Sequence, residues 1–108
     1  MAQAIIYKRI GESNPYQFNF ADLLSEAGDS ALNASTSTVT AKDSSGVAAA
    51  SVVGTVSVVT STILQAIIQA GTDKEDYTIP FKGVGATSGQ SWIKVIEVRV
   101  RELISGNV

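Results

Sequence analysis

Asp76-Tyr77-Thr78-Ile79-Pro80-Phe81 and Ser91-Trp92-Ile93-Lys94-Val95-Ile96-Glu97-Val98-Arg99-Val100-Arg101 decide how this chain folds. Successive side chains of an extended strand point to opposite faces. Tyr77, Ile79 and Phe81 therefore share one face of the first run, with Thr78, Pro80 and Lys82 on the other. In the second run Trp92, Ile96, Val98 and Val100 share a face, and Glu97, Arg99 and Arg101 point away. Gly83, Gly85 and Gly89 loosen the connection, and Thr87-Ser88-Gly89-Gln90 is the expected reversal. The two runs predict a β-hairpin with one side built for a core. Pro80 cannot donate a ladder hydrogen bond, so its strand is expected at an edge or with a bulge.

Upstream of this hairpin, Ala70 to Asp76 is a polar loop, preceded by Thr62 to Ala70. There Leu64, Ala66 and Ile68 fall on one face and Ile63 and Ile67 on the other. Its β-branched content favours a strand covered on both faces, with a helix as the rival. Thr55 to Val59 also alternates, Gly54 interrupts, and Val47 to Val53 is alanine-rich. In Ser35 to Lys42, Thr38, Thr40 and Lys42 alternate with Ser37, Val39 and Ala41, a strand with a small-residue inner face, closed by the turn Asp43-Ser44-Ser45-Gly46. Asp22 to Asp29 fits a short helical turn, Asp22 capping and Gly28 stopping it, or a structured loop. Tyr16, Phe18 and Phe20 alternate with Gln17 and Asn19, and Ala4 to Ile10 suits a first strand ending at Gly11.

About seven short strands joined by turn-rich segments predict an all-β fold, an immunoglobulin-like antiparallel β-sandwich, with a small β-barrel as the alternative. The 108 residues fit a single domain. Residues 1–20 are expected to form its N-terminal strand or arm. Residues 103–108 read as a frayed tail or an interface strand. The composition, 44% hydrophobic and 17% charged, is that of a globular protein. With so few aromatics, Trp92, Tyr77, Phe81, Phe18 and Phe20 are expected to carry much of the packing.

A net charge of −2 gives no footprint for nucleic acid, which needs clustered Lys and Arg. No apolar stretch approaches the roughly 20 residues that cross a bilayer, and the N-terminus lacks a signal-peptide pattern, so the chain is expected to be made without a cleaved leader. There are no cysteines and no histidines. The commonest general base, the thiolate nucleophile and the usual transition-metal ligands are therefore missing from the sequence. The acidic cluster Asp73, Glu75, Asp76 lacks calcium-loop spacing and reads as a charged, solvated loop. Gly83-Val84-Gly85 has neither phosphate-loop pattern and reads as hairpin punctuation. Trp92 reads as a core or interface residue rather than a sugar platform. No catalytic, metal or cofactor residue is assigned, and no small-molecule substrate is expected.

One resemblance goes further. Asp22-Leu23-Leu24 with Gly28-Asp29, the run Thr38 to Gly46, Ala70-Gly71-Thr72-Asp73 with Asp76-Tyr77-Thr78-Ile79, and Thr87-Ser88-Gly89-Gln90 before the last strand resemble small tailed-phage and prophage structural proteins of the fiber-tail adaptor kind. The resemblance covers roughly residues 20 to 102. It implies an immunoglobulin-like sandwich and a non-enzymatic virion protein, assembled in the bacterial host cytoplasm, whose partners are other virion proteins and further copies of itself. The stretch Ile63 to Ile68 is more apolar than such a sandwich needs. Ile63, Ile67, Leu103 and Ile104 are accordingly expected in a subunit interface. The alternative function is a bacterial immunoglobulin-like surface module that binds carbohydrate or protein.

Overall fold

The computed structural model describes residues 4–9 and 12–101. Seven strands lie among them: β1 (Ala4–Lys8), β2 (Asn14–Asn19), β3 (Thr38–Val39), β4 (Val53–Val59), β5 (Ile63–Ile68), β6 (Asp76–Val84) and β7 (Ser91–Val100), with a short helix α1 (Ala21–Glu26) between β2 and β3. They form two separate sheets, β1-β7-β6-β3 and β2-β5-β4, so the chain is a sandwich and not a closed barrel. Lettered A to G in chain order, the sheets read A-G-F-C and B-E-D, the immunoglobulin grouping with the first strand moved to the edge of G. That move corrects the purely antiparallel expectation: β1 runs parallel to β7, with Ile6 beside Val98.

The core follows from alternation. Tyr77, Ile79, Phe81, Ile96, Val98 and Val100 from one sheet meet Leu64, Ala66 and Ile68 from the other, all buried. Phe18 and Phe81 meet edge to face with ring centroids 5.1 Å apart. Thr62 to Ala70 is thus strand rather than helix at its centre. Ser37, Val39 and Ala41 do face inward, but the strand predicted there shrinks to two residues, followed by a bridge from Lys42 to Thr78. Tyr77 holds a tyrosine corner: its hydroxyl accepts the Thr72 N–H at 2.9 Å, five residues upstream, at the turn into β6.

Three sequence expectations need correction. β6 is an interior strand with unbroken register against β7, so Pro80 sits neither at an edge nor at a bulge. Its carbonyl accepts the Thr40 N–H, which places its missing donor on the side where β3 has already stopped. Asp22 is not the helix cap but the second residue of α1; the Asn19 side-chain oxygen, two residues before the helix, accepts the N–H of its first residue, Ala21. Gly83 and Gly85 are buried rather than loop punctuation, because β6 continues to Val84 and Gly85 bridges to Leu32.

Candidate functional site

Four surfaces carry the chemistry this fold offers. The first is the outer face of the three-stranded sheet. Since Leu64, Ala66 and Ile68 are buried inward, Ile63, Gln65 and Ile67 point outward. The register lays out three rows: Asn19, Ile63 and Val59; Gln17, Gln65 and Ser57; and Pro15 beside Ile67. No charged residue occurs in these rows. The two interface candidates Ile63 and Ile67 therefore share one face, each half-buried, with the amide of Gln65 between them. Leu103 and Ile104 lie outside the described residues.

The outer face of the four-stranded sheet is different. It exposes Tyr7, Ile93 and Ile5, at 67%, 59% and 52% of their surface, among charges. Arg99 pairs with Glu97 at 2.8 Å and lies 5.9 Å from the centre of the Tyr7 ring. Lys94, on the inward parity, is accommodated because its ammonium lies 5.3 Å from the Phe20 ring centre and donates to the Asn19 carbonyl.

The third surface is the end where the loops after β2, β4 and β6 meet. Leu32 donates to the Ser61 carbonyl, Asn33 to that of Val84 and Ala86 to that of Ala31. The helix end aims the key side chain. Gly28, at φ 72, donates to Ser25 and Asp29 donates to Leu24, the two bonds of a Schellman stop. Asp29 is then buried, and its carboxylate accepts the N–H groups of Ser30 and Ser88 at 2.8 Å and Thr87 at 3.0 Å. The Ser88 N–H, against the opposing effect of burial, leads in holding this carboxyl far below the usual carboxylate range. Sequence reasoning missed Asp29, whose partners at 87 and 88 lie 58 and 59 residues away.

At the opposite end Lys8 is 4% exposed and donates to the carbonyls of Ala70 at 2.6 Å and Arg9 at 2.9 Å. Desolvation lowers its pKa, with Glu12 acting against the shift. A cavity of about 480 Å³ opens beside it, lined by Tyr7, Lys8, Arg9, Glu12 and Arg101. In the acidic loop, Glu75 accepts the Ser44 N–H and hydroxyl, and Asp76 pairs with Arg101. Among the described residues no three His, Cys, Asp or Glu side chains gather where they could hold a metal ion.

No protein-family model matches the chain, and neither does any curated protein or solved structure.

Proposed function

We propose that this protein is a non-enzymatic assembly module that docks onto neighbouring proteins and onto copies of itself, in a tailed-phage or prophage virion as an adaptor of the tail. The observation that carries the reading is the charge-free outer face of β2, β5 and β4, where Ile63 and Ile67 flank Gln65. Aliphatic side chains there gain by leaving water, and amides beside them both donate and accept across a contact. A charged partner surface gains nothing from such a face, because its ions would be desolvated without counter-ions. The phage context is carried by the turn and strand punctuation alone.

The test is sedimentation of the purified chain together with its localisation in purified particles. Ile67→Lys sets an unpaired charge in the face and is expected to weaken the contact by about tenfold or more while leaving the melting temperature close to that of the parent. A parent chain that stays monomeric at high concentration, is missing from particles and captures none of their proteins would end the proposal.

The joined loop end favours a second reading, a binding module for carbohydrate or protein. Its exposed Ser35, Thr36, Thr87, Ser88 and Gln90 supply adaptable hydrogen-bonding groups on loops held in place by Asp29. Protection of the 86–90 loop from exchange on adding particle proteins or glycans would favour it over the sheet face.

A further inference from the structure

We propose that the free edge of β4 is a strand-addition site, and that its occupant is β4 of a second copy, running antiparallel about a twofold axis at Ser57. An unpaired strand edge is a template for another strand unless something blocks it. Among the described strands β1 and β3 border one sheet, β2 and β4 the other. β3 has only two residues, β2 carries Pro15, and β1 ends in Lys8 with Arg9 following. β4 is seven residues, Val53-Gly54-Thr55-Val56-Ser57-Val58-Val59, with neither a charge nor a proline. Its one irregularity, between Val53 and Val56, leaves Val56 to Val59 in straight register with β5.

A second, independent observation comes from the inner side. Val56 lies opposite buried Ala66 and so points inward, yet 38% of it is exposed. It borders a groove of about 320 Å³ that opens between the β3 and β4 sides, lined also by Val39, Ala41, Ala48, Ala50 and Gly54, without a charged side chain. A strand added to β4 would pair with its backbone and lay apolar side chains along the mouth of this groove, the division of labour that strand addition uses elsewhere.

That strand must be uncharged, β-branched and inward-apolar at alternate positions, and β4 is itself such a strand. Val56-Ser57-Val58 reads the same in both directions. A copy centred on Ser57 sets Val56 against Val58 of its partner on the inner face and Ser57 against Ser57 on the outer face. Directly opposite pairs of this kind stabilise a sheet, and no charge meets its like. The contact is isologous and closes as a dimer. It joins the two three-stranded sheets into one and makes their charge-free faces continuous. An edge of seven residues is a small contact beside the ~1,000 Å² that a durable interface needs, so the dimer is expected to be weak and to matter where copies are already crowded together. It extends the assembly reading and is tested apart from it, since the edge and the Ile67 face are altered by different substitutions.

The chain has no cysteine, which makes crosslinking clean. Ser57→Cys, oxidised at millimolar protein, is expected to form a disulfide dimer far faster than Ser45→Cys on an exposed turn, and the difference should vanish at micromolar protein. Backbone amides of residues 55–59 should exchange more slowly at the higher concentration. Thr55→Lys, an exposed change on the edge, should abolish both effects without unfolding the protein. Equal crosslinking at positions 57 and 45, or β4 exchange that ignores concentration, overturns the proposal. So does a dimer that Ile67→Lys disrupts and Thr55→Lys leaves intact, because that dimer would use the face and not the edge.

Discussion

At the loop end of the sandwich Asp29 gathers the backbone N–H groups of Ser30, Ala31, Thr87 and Ser88; at the other end Lys8 reaches the carbonyls of Ala70 and Arg9. Each buried charge ties distant segments, yet burial affects the two differently. For Asp29 the donated hydrogen bonds outweigh desolvation, and the charged form is favoured. For Lys8 desolvation outweighs the attraction of Glu12, and the charged form is disfavoured. A carboxylate has about four acceptor sites that backbone amides can fill, so its solvation is replaced nearly in kind. The loop end is therefore held by its charge, while the Lys8 end holds despite its charge.

The largest effect is expected from Asp29→Ala, which strands several inward N–H groups at once. Its melting temperature should fall further than that of Gly85→Ala, Tyr77→Phe or Lys8→Met, and amide exchange in residues 86–90 should rise. The pH dependence sharpens the contrast. Because the folded carboxyl titrates lower than the unfolded one, near 3.9, its contribution is fully present above that value and is lost as pH falls below it. Asp29→Asn should flatten this acid limb in thermal melts. An unchanged limb would mean that the ionised carboxylate does not hold the loops.

Gly85→Ala probes the same end without removing a charge. A Cβ there would run into the Asp29 carboxylate and the Ser88 hydroxyl, so the loop must shift to admit it. Overpacking of this kind costs about 1–3 kcal/mol, readable in denaturant melts. At the Lys8 end the matching probe is Tyr77→Phe, which removes the acceptor of the Thr72 N–H and should cost about 1 kcal/mol. If Tyr77→Phe proved the more damaging of the two, the loop end would not be the more tightly built.

The difference in legibility between these features has a physical origin. Tyr77, Ile79, Phe81, Ile96, Val98 and Val100 declared themselves because period-two alternation is local, and Ile63 and Ile67 because they break it on the opposite side of β5. The pairing of β1 with β7 and the meeting of Asp29 with Thr87 and Ser88 depend on chain crossings that no local pattern encodes. Pro80 misled because the rule about edges concerns the neighbour that a missing N–H faces, and β3 stops before reaching it. The edge of β4 was half visible: its uncharged alternation is in the sequence, whereas the bulge beside Gly54 and the groove behind Val56 exist only once both sheets are in place.

Lys8→Met should have the smallest effect, and its sign is the sharpest check on the comparison. The change removes two hydrogen bonds to carbonyls but also the cost of taking an ammonium out of water, and an apolar chain of similar length can pack beside Ile6, the inward residue of the same parity on β1. At neutral pH the two contributions are expected to cancel to within about 1 kcal/mol. The alkaline limb then separates them. With its folded pKa lowered, Lys8 binds a proton more readily in the unfolded chain, so its charge burdens the folded state most at low pH and this burden lifts as pH rises toward the unfolded value near 10.4. Tyr16, whose pKa burial raises, pushes stability the other way over the same range, so the comparison must be between Lys8→Met and the parent at each pH. Relative to the parent, the variant should lose ground steadily as the solution becomes more alkaline. A variant that instead tracks the parent at every pH would show that Lys8 keeps its proton equally well in both states, and the contrast between the two ends would then rest on hydrogen-bond count and not on the fate of the charge.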